Sequence, residues 1–175
     1  AEELAQRFDT PLYVYDLATV VARATALKAL SVDRICYAMK ANPHQEILER
    51  LAALDIAFEC VSPAEVSRAR SCVPPDRVLF TPNFAARVEY EDAFRYGVRV
   101  TLDNLYPLVH WPEVFADQDL FVRLDPGFGH GHHAHGFGPI EAVLAEIERA
   151  TTASRADLPA RVLDAAYRPG RHVIR

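Results

Sequence analysis

Short apolar runs alternate along the chain with longer stretches in which apolar residues recur every three or four positions. The runs at 12–15, 34–39, 56–61, 77–81, 98–102 and 120–124 are rich in Val, Ile, Leu, Tyr and Phe and predict strands. The stretches at 17–30, 44–54, 63–71, 85–96 and 105–115 predict helices, with Asp16 placed to cap the first. Strand and helix in strict alternation, with near-continuous apolar strands, predict a parallel sheet built from βα units. Two architectures satisfy that order, a doubly wound sheet and a (β/α)8 barrel. Polar residues follow several of the strands: Lys40, Ser62, Asn83, Asp103 and Asn104, and Asp125. In both architectures the carboxyl ends of parallel strands form the ligand face, so these residues are expected on one rim, some of them as helix caps.

Beyond Asp125 the pattern changes. Residues 126–139 form a Gly- and His-rich stretch expected to be a loop, a helix is predicted near 140–151, and a strand is possible at 161–167. A closed barrel needs eight βα units and typically about 250 residues, whereas five clear units are present here.

Length and composition narrow the classes. The 175 residues suit one medium domain. A net charge of −5 offers no basic footprint for nucleic acid. Three cysteines, Cys36, Cys60 and Cys72, are too few and too irregular for a disulfide framework. Cys36 and Cys60 fall inside apolar runs and are expected as buried hydrophobes in a reducing compartment. No stretch has the length of a membrane span and the first residues have no signal-peptide character, so a cytoplasmic protein without membrane or nucleic-acid partners is expected.

Lys40 is the sharpest chemical feature. It follows an apolar strand and precedes Ala41-Asn42-Pro43, which breaks the strand and opens a helix. Placed there it is expected to point into the ligand face with its amine partly desolvated, which favours the neutral nucleophile that attacks an aldehyde. A solvated lysine at a strand end is the plainer alternative. Four histidines, His130, His132, His133 and His135, invite a zinc or nickel site, but no Cys or carboxylate stands nearby to complete one, and no metal is expected. Gly136 and Gly138, ahead of a predicted helix, could admit a phosphate to backbone N–H groups.

Tyr37-Ala38-Met39-Lys40-Ala41-Asn42, preceded by Pro11-Leu12-Tyr13-Val14-Tyr15-Asp16, resembles the cofactor-lysine segment and opening strand of the alanine-racemase-like, fold type III decarboxylases. Phe58-Glu59-Cys60-Val61-Ser62-Pro63-Ala64-Glu65 is similar to that family's second-strand motif. Val122-Arg123-Leu124-Asp125-Pro126-Gly127 and Gly129-His130-Gly131-His132-His133 are similar to its fifth strand and the loop after it. The resemblance implies pyridoxal 5'-phosphate as cofactor, Lys40 as its covalent anchor, and Glu59, Glu65 and Arg123 as polar groups around it. It also implies His135 as the residue stacked on the pyridine ring, Gly136 and Gly138 as the tail of the phosphate loop, and Arg171 of Pro169-Gly170-Arg171 beside the phosphate. Read without the family, Glu59 is a strand residue facing solvent, Glu65 a first-turn acid favoured by the helix dipole, and Arg123 a structural ion-pair partner. Arg168 departs from the family pattern, which has a glutamate there to keep the ring nitrogen protonated.

The implied fold is a partial pyridoxal-phosphate-binding (β/α)8 TIM barrel of the alanine-racemase-like type without the family's C-terminal β-domain. It is a single incomplete barrel domain over 1–175, family-like over 1–133 and compressed or rearranged over 134–175. The implied function is decarboxylation of meso-diaminopimelate to L-lysine by a homodimer, with an ornithine- or arginine-type decarboxylase as the neighbouring alternative. A non-catalytic cofactor-binding protein and a structural remnant are the other two readings. An open parallel barrel exposes two edges and an apolar layer, so marginal stability or self-association of the chain is expected.

Overall fold

The structure, a computed structural model, describes residues 2–30, 32–104 and 106–123. Elements follow in the order α1 (Glu2–Phe8), α2 (Leu17–Leu27), β1 (Cys36–Ala38), α3 (Gln45–Ala53), β2 (Ala57–Cys60), α4 (Pro63–Arg70), β3 (Val78–Phe80), α5 (Arg87–Arg95), β4 (Arg99–Leu102), α6 (Tyr106–His110), α7 (Pro112–Phe115) and β5 (Leu120–Val122). The five strands form one parallel sheet in the order β1-β2-β3-β4-β5. A doubly wound sheet reverses its strand order at a switch point. This one never does. Right-handed crossovers that always step the same way leave every helix on the same side, which is the winding of a barrel, and the doubly wound alternative falls.

The register shows which face carries the helices. Cys60, Phe80, Val100 and Leu120 pair in one row across the sheet. The first three are fully buried and join Val66, Ala69, Tyr90, Ala93 and Phe115 in a single core. Tyr90 anchors that core, its ring packing edge-on to Phe80 at 6.3 Å and to Phe115 at 5.3 Å. The next row, Ala38, Glu59, Leu79 and Arg99, points the other way. Its four residues are only half-buried and stand outside the core. The sheet thus has a convex face sealed by helices and a concave face that no described helix covers.

Several elements differ from the sequence reading. Residues 12–15 form no strand and pair with none among the described residues, and Leu12, Tyr13, Val14 and Tyr15 are exposed. Their β-prone composition sets a conformation but cannot supply a partner. Helix α1 was not anticipated. The first long helix stops at Leu27 rather than residue 30. Its start is as predicted: Asp16 Oδ1 accepts from the Ala18 and Thr19 amides at 2.9 and 3.3 Å, and Oδ2 accepts from the Thr19 hydroxyl at 2.7 Å. In place of one helix, the described residues 106–115 form two, broken at Trp111 because Pro112 lacks the N–H a continuing helix needs and instead opens the next one. Cys36 is exposed, not buried, while Cys60 is buried as expected. Gly97 closes α5 with φ of 70°, where a side chain would be strained.

Candidate active site at the carboxyl rim

Lys40 lies in a single 3₁₀ turn, Met39–Ala41, that follows β1 directly. Met39 is completely buried beneath the turn and roots it in the core, while Lys40 itself is exposed. The dry surroundings expected for its amine are therefore not provided by the described residues. The turn is held on both sides. Tyr37 Oη donates to the Asn42 carbonyl at 3.2 Å, Asn42 Oδ1 accepts from the His44 amide at 3.0 Å, and the Arg68 guanidinium donates to the Pro43 carbonyl at 2.9 Å. Burial pushes the Tyr37 hydroxyl's pKa up, so it stays a proton donor.

The chain contains two lysines. Lys28 caps the C-terminus of α2 and donates to the Leu54 carbonyl at 2.7 Å, among the loops at the amino ends of the strands. Lys40 stands at the opposite, carboxyl rim.

Glu59 is on the concave face, one residue before the end of β2. Its Oε1 accepts from the Thr81 hydroxyl at 2.6 Å. Thr81 continues the ladder past β3, its amide donating to the Cys60 carbonyl at 2.8 Å, and so turns its hydroxyl toward the same face as Glu59. Arg123 likewise continues β5, with its amide donating to the Leu102 carbonyl at 2.8 Å. Alternation places it on the face of Thr101 and Phe121. It is half-buried, and its guanidinium pairs with no carboxylate among the described residues. Glu59 and Arg123 lie three strands apart, ~14 Å along a sheet with ~4.8 Å between strands, so they would meet across a ligand rather than directly.

Glu65 is occupied differently. Ser62 caps α4 by accepting from the Glu65 amide at 3.3 Å, and Glu65 Oε2 returns to accept from the Val61 amide at 2.7 Å. The spacing Ser62-x-x-Glu65 is that of a capping box, shifted by one residue at its donor. In this geometry Glu65 shapes the loop that follows β2. Both acids bear on the buried Cys60 thiol: desolvation raises its pKa to about 12, with Glu65 and then Glu59 adding to the shift. At the end of β4, Asp103 is buried, with Oδ1 accepting from Asn104 Nδ2 at 2.7 Å and Oδ2 without a hydrogen-bond partner among the described residues. Burial raises the Tyr90 hydroxyl's pKa, and the nearby Asp103 charge adds to it.

The structure thus places Lys40 at the carboxyl rim after β1, Glu59 and Arg123 on the concave face of β2 and the end of β5, and Glu65 in the first turn of α4. Asp125, the four clustered histidines including His135, Gly136, Gly138, Arg168 and Arg171 lie outside the described residues. Thr81 and Arg68 were not foreseen. A threonine as the last residue of the predicted strand 77–81, beside a strand that carries an acid, was the only signal for the former.

Residues 17–150 match the family described as pyridoxal-dependent decarboxylase, pyridoxal binding domain. The chain is 35% identical over 136 residues to the diaminopimelate decarboxylase of Deinococcus radiodurans, covering 77% of this chain and 35% of that protein. It is 32% identical over 165 residues to the diaminopimelate decarboxylase of Methanothermobacter thermautotrophicus, covering 85% of this chain and 38% of that protein. Among solved structures, the lysine/ornithine decarboxylase of Vibrio vulnificus complexed with putrescine superposes with a TM-score of 0.71 at 30% identity, over 86% of this chain and 41% of that one. The chain spans about two fifths or less of the length of each of these relatives. An unreversed parallel sheet, a lysine at the carboxyl rim of its first strand and a family match over most of the sequence lead to one conclusion: this chain belongs to the pyridoxal-dependent decarboxylases, matching their pyridoxal-binding domain.

Proposed function

We propose that the chain is the cofactor-anchoring part of a decarboxylase that releases CO2 from meso-diaminopimelate to give L-lysine, working as a homodimer. The observation that carries the reading is Lys40: of two lysines, it alone stands exposed at the carboxyl rim, beside the sheet face that the helices leave bare.

The described residues fit pyridoxal 5'-phosphate. An accessible primary amine suits its aldehyde. Glu59, with one oxygen committed to Thr81, keeps the other as an acceptor on the concave face. Arg123 supplies a donor cation on the same face, matched to an anionic group of cofactor or substrate. His135, Gly136, Gly138 and Arg171 are proposed to complete the site, stacking on the ring and binding phosphate. When bound, the cofactor supplies a conjugated cationic ring able to accept the electron pair left by departing CO2.

This chain's own part is to present the amine, hold Glu59 in one orientation and set a cation opposite. Diaminopimelate is favoured over other substrates because two of the relatives above carry that name, while the lysine/ornithine enzyme marks the alternative of a simpler diamino acid. A non-catalytic cofactor-binding protein is the second reading, favoured by Arg168 standing where the family motif has its ring-nitrogen acid.

The deciding experiment adds pyridoxal phosphate to the full chain, reduces with borohydride and maps the modified peptide. A phosphopyridoxyl adduct on Lys40, absent in Lys40→Ala, is expected. CO2 release is then assayed with meso-diaminopimelate, ornithine and lysine in parallel. An adduct confined to Lys28 would overturn the anchoring role, and an adduct on Lys40 without CO2 from any substrate would select the second reading.

A further inference from the structure

We infer that Arg68 is a positioning residue for Lys40, acting through the Pro43 carbonyl. The inference rests on Lys40 being the cofactor anchor.

Lys40 sits on a three-residue turn with no side-chain cap. Of the three side-chain hydrogen bonds within or onto the segment 37–44 among the described residues, two are local. Tyr37 reaches the Asn42 carbonyl five residues along, and Asn42 reaches the His44 amide two residues along. These stiffen the loop internally, and Met39 anchors its start in the core, but neither bond ties its far end, around Pro43, to another βα unit. The third comes from another βα unit, 25 residues away, where Arg68 on α4 donates to the Pro43 carbonyl at 2.9 Å. Proline has no N–H, so that carbonyl is the one backbone hydrogen-bonding group Pro43 offers.

Helix α4 is itself well seated. Val66 and Ala69, flanking Arg68, are buried in the core, and Ser62 with Glu65 fixes its first turn. Arg68 therefore ties the loop after the anchor lysine to the helix that follows the Glu59 strand. Its neighbour Arg70 points elsewhere, over the Tyr96 ring at 4.0 Å. Because Arg68 is exposed and outside the core, its loss is expected to leave the fold intact and loosen only this loop.

The test uses the two lysines as reporter and internal reference. Wild type, Arg68→Ala, Arg68→Lys and Arg70→Ala are each exposed to pyridoxal phosphate, reduced with borohydride at a series of times, and mapped. The ratio of the Lys40 rate to the Lys28 rate is expected to fall about tenfold in Arg68→Ala, an ångström-scale misplacement of a reacting group being costly. It should recover largely in Arg68→Lys, which keeps a donor, and stay at the wild-type value in Arg70→Ala. Hydrogen exchange without cofactor should show faster opening at 40–44 in Arg68→Ala and unchanged protection in β2. An unaltered ratio in Arg68→Ala, or an equal fall in Arg70→Ala, would overturn the positioning role while leaving Lys40 as anchor. A wild-type chain that gains no adduct on Lys40 would remove the anchor and this role with it. If Arg68→Ala does not fold, Arg68→Gln replaces it, with a partial fall expected and an unchanged ratio overturning the role.

Discussion

The two faces of the sheet are built from the same strands and answer to different physics. On the convex face, Phe58, Cys60, Phe80, Val100 and Leu102 are almost completely removed from water against α4, α5 and α7. On the concave face, one residue away along the same backbones, Ala38, Glu59, Leu79, Arg99 and Thr101 remain half-exposed. The first set makes the strands stay where they are. The second set is free to be polar, and it is there that an acid, two threonines and two arginines are found together. The comparison teaches that stability and chemistry are separated by a single step of the strand's twofold alternation. A substitution's consequence should follow from the face it is on.

The largest expected effect is on the sealed face. Phe80→Ala removes a ring packed edge-on to Tyr90 in the centre of the core and should cost about 3–5 kcal/mol, read as the shift in a urea midpoint. A loss below about 1 kcal/mol would mean that this core is not what holds the sheet. A second effect on the same face comes with pH. The Cys60 thiol is held neutral up to about pH 12 by desolvation, whereas in the unfolded chain it ionises near 8.5. Between those values the unfolded state binds fewer protons than the folded one, so stability declines as pH rises, by about 1.4 kcal/mol per unit from this group alone. Cys60→Ala should flatten the alkaline limb of a stability profile, and exposed Cys36 should alkylate well before Cys60.

Between the faces lie the caps. Ser62→Ala removes the acceptor for the Glu65 amide and should cost about 1 kcal/mol, leaving the Phe80 core unaffected but loosening the start of α4. Changing Glu65 to Gln should have a similarly modest effect on stability if its role is the Val61 amide alone. A loss of cofactor capture far exceeding the change in stability would restore Glu65 to the ligand site.

The same division explains what was legible in the chain. The five strands and the helices after them were readable because the convex face requires an apolar residue at every second strand position and an apolar stripe on each helix, and some concave positions, Ala57 and Leu79 among them, are apolar as well. The rim was readable because Lys40, Ser62 and Asp103 interrupt those runs at their ends. What was not readable depends on pairing. Residues 12–15 have strand composition without a described strand beside them, and no local pattern says whether a partner exists. The monotonic strand order, which excludes the doubly wound sheet, is a long-range property that βα alternation leaves open. Arg68 and Thr81 act through hydrogen bonds to residues more than 20 positions away, and one arginine on a helix or one threonine at a strand end looks like any other. Glu65 shows the reverse case: Ser62-x-x-Glu65 is a local spacing with a local meaning, and that meaning is the one the geometry supports.

The smallest expected effect is the one that sharpens the comparison most. Leu79 sits between Glu59 and Arg99 in the concave row, half-buried and outside the core. Surface-like positions change stability by roughly 0.5 kcal/mol or less, so Leu79→Ser should be close to neutral in urea unfolding, in contrast to Phe80→Ala on the adjacent residue. A neutral result would mean that in solution this face is open to water, as the described residues leave it. A cost of 2–3 kcal/mol would carry the opposite information. Leucine is that expensive to replace only when it is fully removed from water, so something would have to lie over the concave face. Repeating the measurement across a range of chain concentrations then separates the two sources of cover. A cost that grows with concentration points to a second copy, and one that does not points to cover from within the same chain.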